Sequence, residues 1–202
     1  VYEYLPDEHD EDYDDDMIKV AVIGKPNAGK SSLINKIAGE ERVIVSDVAG
    51  TTRDSTDTVI ENEFGKFVFI DTAGIRKKSK INEKIEHYSV LRAYMAVDRA
   101  DVCVIMLDAA EGFTEQDSKV AGYAHEKGKA CVVAVNKWDA IEKETNTMND
   151  FQKKLQDDFS FMSYVPFVFI SAKTGLRMDK LFDTIKFVAE QNSIRIPTGR
   201  LN

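Results

Sequence analysis

Short apolar runs and helix-period stretches alternate along this chain, and that alternation limits the folds open to it. The runs fall at 19–23, 67–70, 102–107, 130–135 and 167–170; the stretches fall at 31–38, 88–97, 116–126, 148–159 and 178–190. The runs are rich in Val, Ile and Phe and are continuous, the pattern of strands covered on both faces. Strand and helix in strict alternation predict a three-layer α/β/α sandwich around a mostly parallel sheet. A further run at 58–64 is joined to its successor by Gly65-Lys66. It reads as one antiparallel edge strand, bringing the expected sheet to six strands.

At 202 residues, 43% of them hydrophobic, the chain can bury one domain and is short for two. Its net charge of −8 is uneven. Nine acids and no Lys or Arg occupy the first sixteen residues, and without those nine the remainder carries +1. A segment this acidic repels itself and buries nothing, so residues 1–16 are expected to be a disordered linker; a competitor for basic RNA-binding surfaces is the other reading. Cys103 and Cys131 lie within apolar runs and read as small buried hydrophobes, which fits a reducing compartment. There is no basic-then-apolar leader, and no apolar run approaches the roughly 20 residues of a membrane span. The expectation is a soluble, cytoplasmic, monomeric domain at 17–192 with no membrane partner. The start at Val1 and the trailing residues 193–202 read as cuts from something larger.

Gly24-Lys25-Pro26-Asn27-Ala28-Gly29-Lys30-Ser31 follows the first strand and opens the first helix. This is the context of a phosphate-binding loop, and it makes the fold a P-loop NTPase sandwich. Its backbone N–H groups, from Asn27, Ala28 and Gly29 through Ser32, would cradle phosphates beside the positive end of a helix. Lys30 would reach the β- and γ-phosphates and Ser31 would ligate Mg²⁺. Asp71-Thr72-Ala73-Gly74 closes another strand, placing Asp71 to hold Mg²⁺ through water and the Gly74 N–H to meet the γ-phosphate.

Asn136-Lys137-Trp138-Asp139 selects the base. The two carboxylate oxygens of Asp139 match guanine's adjacent donors, N1–H and the 2-amino group, whereas adenine offers no such pair. The Lys137 stem would lie along the base, Asn136 would tie this loop to the phosphate loop, and Trp138 reads as a packing residue. Ser171-Ala172-Lys173 ends the last strand and would offer the Ala172 N–H to guanine O6. Four motifs in this order, each at a strand end where ligands bind in such sheets, predict a GTP/GDP site.

These residues resemble the Era-like, translation-factor-related bacterial GTPases, small-GTPase-like in fold, and within them the second GTPase domain of the tandem-GTPase ribosome assembly factors. The resemblance spans essentially 18–202. It is carried by 45–54, Asp71 to Lys78, Tyr88-Ser89-Val90-Leu91-Arg92 and Asn136 to Asp139. It implies a switch I threonine that contacts Mg²⁺ and the γ-phosphate, assigned to Thr52 with Thr51 as the alternative. It also implies K⁺ at Asn27, completed by phosphate oxygens and by backbone carbonyls near Val48 and Ala49; the plainer reading is that Asn27 braces the loop. The acidic start would then follow a first GTPase domain, and 193–202 would open a KH-like domain. The parent protein would bind the large ribosomal subunit and its RNA during assembly.

The basic run Arg76, Lys77, Lys78, Lys80, Lys84 is either a solvated loop or a charge cluster that GTP orders toward RNA or a neighbouring domain. Ile75 stands where Ras-like GTPases carry a water-orienting Gln. Three functions therefore compete: a GTP hydrolase switching an assembly interaction, a GTP/GDP-sensing binding module, and the related tRNA-modification GTPase. His9, His87 and His125 read as surface residues, and Met95, Met106 and Met148 as core or helix-face residues.

Overall fold

The computed structural model describes residues 16–39, 44–47, 57–72, 75, 86–142, 144 and 146–193, with 44–47 and 86–89 described by backbone alone. The elements are β1 (Ile18–Ile23), α1 (Lys30–Ala38), β2 (Ile44–Asp47), β3 (Thr58–Asn62), β4 (Gly65–Phe69), α2 (Glu86–Arg99), β5 (Val102–Asp108), α3 (Glu115–Glu126), β6 (Ala130–Asn136), α4 (Thr147–Asp158), β7 (Phe167–Phe169) and α5 (Met178–Ser193). Residues 1–15 of the acidic segment, all of the basic run Arg76, Lys77, Lys78, Lys80 and Lys84, and residues 194–202 lie outside the described residues.

One sheet runs in the order β2-β3-β4-β1-β5-β6-β7. β4, β1, β5, β6 and β7 are parallel, and β3 pairs antiparallel with both β4 and β2. Two details differ from the sequence reading. The sheet has seven strands, and β3 is antiparallel but not at the edge, because β2 pairs along its outer side from Ile44↔Glu61 to Asp47↔Thr58. Residues 44–47 are too short and too mixed to stand out by periodicity.

The layers follow from side-chain alternation on buried strands. Val102, Val104 and Met106 of β5, with Ala130, Val132 and Ala134 of β6, pack toward Leu33, Ile34 and Ile37 of α1 and Leu181, Phe182 and Ile185 of α5. The intervening Cys103, Ile105 and Leu107, with Cys131, Val133 and Val135, pack toward Val97 of α2, Val120 and Ala121 of α3 and Leu155 of α4. Both sides of these strands are sealed, which is why their sequence is apolar without a break. α3 starts at a capping box, in which Thr114 Oγ1 accepts from the Asp117 N–H and Asp117 accepts from the Thr114 N–H. Trp138 is buried, edge-on to Phe151 and 4.6 Å from Phe169 between ring centres, so it packs as expected. Met106 is core, Met95 is exposed on α2, and His125 is at the surface.

In chain order the five parallel strands lie second-first-third-fourth-fifth, so winding reverses between β1 and β5. A crevice opens beyond the carboxyl ends of those two strands.

Candidate nucleotide site

Gly24 to Ser31 runs straight from β1 across this crevice into α1. Gly24 has φ 140° and Gly29 φ 101°. A Cβ on Gly24 would strike the Met106 carbonyl of β5, and one on Gly29 would strike the Asn136 amide nitrogen of β6. Both glycines are thus demanded by neighbouring strands as well as by their own backbone. The N-cap of α1 is Gly29, which brings no side chain to cap the helix, and the first turn carries no acid. A helix N-terminus of this kind offers backbone N–H groups and partial positive charge to an anion. Lys30 Nζ lies over the loop, donating to the carbonyls of Gly24 (2.7 Å) and Lys25 (2.6 Å). Ser31 Oγ donates to the Ile75 carbonyl at 2.8 Å.

The loops after β6 and β7 are joined to this loop by one side chain. Asn136, 2% exposed, donates from Nδ2 to the Ala28 carbonyl and accepts on Oδ1 from the Ala172 N–H, both at 2.9 Å. Here the Ala172 N–H, which the sequence points to guanine O6, donates to Asn136. Ser171 is buried and its Oγ accepts from the Thr174 N–H, while Lys173 is exposed. Lys137, at φ 62°, extends to Asp108, with Nζ 2.6 Å from Oδ2. Burial would raise the Asp108 pKa, but the Lys137 ammonium, the Ala110 N–H and the charge of Lys25 together hold it below the usual carboxylate value. Asp139 is exposed at the rim of the loop.

On the other side, Asp71 lies two residues beyond β4 at φ 53° and lines the cleft. Its N–H donates to buried Asp57 at 2.8 Å, and the other oxygen of Asp57 is held by Arg99 at the end of α2. Thr72 shares a 2.6 Å hydroxyl contact with Thr58 of β3. Asn27 is exposed on the cleft at φ 65°. The cleft measures 510 Å³, and Asn27, Lys30, Ser31, Asp71, Arg92 and Lys137 all line it. The cleft thus gathers phosphate-loop residues, Asp71 and Lys137, whereas Asp139, Ser171, Ala172 and Lys173 are not among the residues that line it; Thr52 and Gly74 lie outside the described residues. Sequence reasoning did not single out Asp57, Asp108 or Arg99. Asp108 carried a readable signal, an acid closing a seven-residue apolar strand.

A Gly-rich loop at a switch point, running into a helix whose N-cap is glycine and tied through Asn136 to the loop after β6, defines a P-loop nucleotide-binding domain of the small-GTPase type. The family described as 50S ribosome-binding GTPase matches residues 19–137, and the chain belongs to that family and carries a GTPase domain. GTPase Der of Acetivibrio thermocellus is 62% identical over 202 residues, and GTPase Der of Alkaliphilus oremlandii 57%. All of this chain aligns in both cases, and it spans 46% of those relatives' length. Among solved structures, Era in complex with MgGDPNP and a segment of 16S ribosomal RNA superposes with TM-score 0.62 at 29% identity, over 90% of this chain and 59% of that one. Aquifex aeolicus Era bound to GDP·AlF₄⁻ gives 0.60 at 27%, with the same coverage of each chain. No helix among the described residues is long and apolar enough to cross a membrane.

Proposed function

We propose that this domain binds GTP in the cleft between β1 and β5, hydrolyses it to GDP and phosphate, and acts as a switch in large ribosomal subunit assembly within a longer protein. The observation carrying the site reading is Asn136, whose buried amide joins phosphate loop, base loop and the loop after β7 into one unit. In this reading the α1 N-terminus and Lys30 bind phosphates, Asp139 reads the guanine edge, and the N–H groups of Asn27 to Ser32 complete the cradle. Magnesium suits the donors: the Ser31 hydroxyl and Asp71 carboxylate are hard oxygens on one cleft. No cluster of three or more His, Cys, Asp or Glu competes for a metal among the described residues. Few protein ligands, with water and phosphate oxygens completing the shell, is the usual way to hold this ion. Bound Mg²⁺ would neutralise charge on the phosphates.

Ile75 supports the second reading, a nucleotide-sensing module with slow intrinsic hydrolysis. Its side chain is apolar and packs against the core, and its carbonyl accepts from Ser31 Oγ, so it offers no side-chain group to orient water. Asn27, exposed at the cleft, supports a K⁺-assisted route, since a carbonyl oxygen suits a large monovalent cation. Thr52 and Gly74 keep the roles their motifs imply. Ribosome engagement draws support from the family description and from the RNA-bound Era relative. Steady-state phosphate release should be seen with GTP and not ATP, and should be faster in K⁺ than in Na⁺ at equal ionic strength. Asn27→Ala should remove most of that salt difference while retaining GDP. Equal rates in the two salts rule out the potassium role, and equal use of ATP rules out the base assignment.

A further inference from the structure

α2 carries two arginines seven residues apart, hence on nearly the same face, and they reach two aspartates that are themselves hydrogen-bonded, Asp57 and Asp71. Arg99, in its last turn, pairs with Asp57, which is 2% exposed by side chain and accepts the Asp71 N–H at 2.8 Å. Two turns earlier, Arg92 Nε stands 3.9 Å from Asp71 Oδ2, and Arg92 lines the same cleft as Lys30 and Ser31. One end of the helix thus holds the Asp71 backbone through a buried acid, while the middle reaches its carboxylate. The two links differ in strength. The Arg99 link ends on a buried carboxylate and is costly to break. The Arg92 link is longer than a hydrogen bond and its partners are 48% and 22% exposed by side chain, so it exchanges easily.

We propose that Arg92 is a positioning residue that competes with the divalent cation for the Asp71 carboxylate, so that metal entry releases the middle of α2 while Arg99 keeps its end anchored. This rests on the reading of Asp71 as a magnesium residue. A guanidinium at ion-pairing distance stabilises the carboxylate, and a cation arriving there must replace that stabilisation and meet a like charge. α2 would therefore sense metal occupancy directly, through a side chain on the helix itself.

The experiment is a Mg²⁺ titration of the 202-residue chain loaded with a fluorescent GDP analogue, following the rate of analogue release. Release should slow as Mg²⁺ binds. Arg92→Gln should lower the Mg²⁺ midpoint by about two- to fivefold, the size expected for a half-exposed pair. Arg92→Lys keeps the charge and should stay nearer the wild type. Lys186→Gln removes an equal charge from the exposed face of α5 and should leave the midpoint unchanged. Melting curves of each variant confirm folding. A midpoint unmoved or raised in a folded Arg92→Gln overturns the proposal alone. Wild-type release that ignores Mg²⁺ overturns the magnesium reading, and the proposal with it.

Discussion

Two contacts at the two ends of the site contrast: Asn136 and Ala172, behind the base loop, are buried and joined by a short neutral hydrogen bond, whereas Arg92 and Asp71, on the cleft, are charged, partly exposed and loosely paired. Asn136 and Ala172 are 2% and 3% exposed, and Asn136 has both ends of its amide engaged at 2.9 Å. Arg92 and Asp71 meet at 3.9 Å with solvent access to both. Breaking a buried neutral hydrogen bond strands its partner at a cost of about 1–3 kcal/mol, whereas an exposed ion pair is worth about 0–1 kcal/mol. The base end is therefore built to stay in place and the phosphate end to change partners. That division suits a switch, which must keep its guanine site constant while the groups around the γ-phosphate rearrange.

Replacing the carboxylate proposed to read guanine should produce the largest effect. Asp139→Asn turns an acceptor toward guanine's donors, and GTP affinity should fall about a thousandfold, with xanthosine triphosphate favoured instead. Competition binding with the two nucleotides measures it, and unchanged GTP affinity would remove Asp139 from base recognition. Next comes the tie itself. Asn136→Ala strands the Ala28 carbonyl and the Ala172 N–H, and should cost roughly 2–4 kcal/mol of stability. Denaturant unfolding without nucleotide tests whether the base end is as rigid as described; a loss below about 1 kcal/mol would erase the contrast between the two ends.

The smallest effect concerns Asp108. Its carboxyl is held below the ordinary value in the folded chain, so the stabilisation it brings is fully present above the unfolded carboxylate range near pH 4. It is lost as pH falls through the lowered folded value. Asp108→Asn should cost about 1 kcal/mol at pH 7, and its melting temperature should fall less steeply than the wild type's between about pH 5 and pH 3. Parallel curves would mean that the Lys137 pair contributes nothing to the rigidity of the base loop.

The parallel strands and the helices between them were legible in the sequence within a residue or two, because a strand buried on both faces must be apolar throughout and an amphipathic helix must repeat its apolar side. β2 was not legible. Four residues carry too little pattern, and their strand state depends on β3 lying alongside. The motif residues were legible too, since a phosphate loop needs glycine and lysine at set spacing. Their secondary partners were not. Asp57 and Arg99 are 42 residues apart, and Lys137 and Asp108 are 29 apart.

The residues proposed to surround the nucleotide are therefore named by the sequence alone, through local backbone geometry and the fixed chemistry of phosphate and guanine. What holds those residues was decided by the tertiary structure. Asn136 reaches Ala28 across 108 positions because β6 ends beside the start of α1. The same amide accepts the Ala172 N–H from the loop after the neighbouring strand β7, a contact the motif could not announce. Arg92 comes to Asp71 because α2 is anchored through Arg99 to an acid at the start of β3. Hydrogen bonds and ion pairs act over a few ångströms of space and leave no trace in sequence spacing; only the folding of the sheet brought these partners within range.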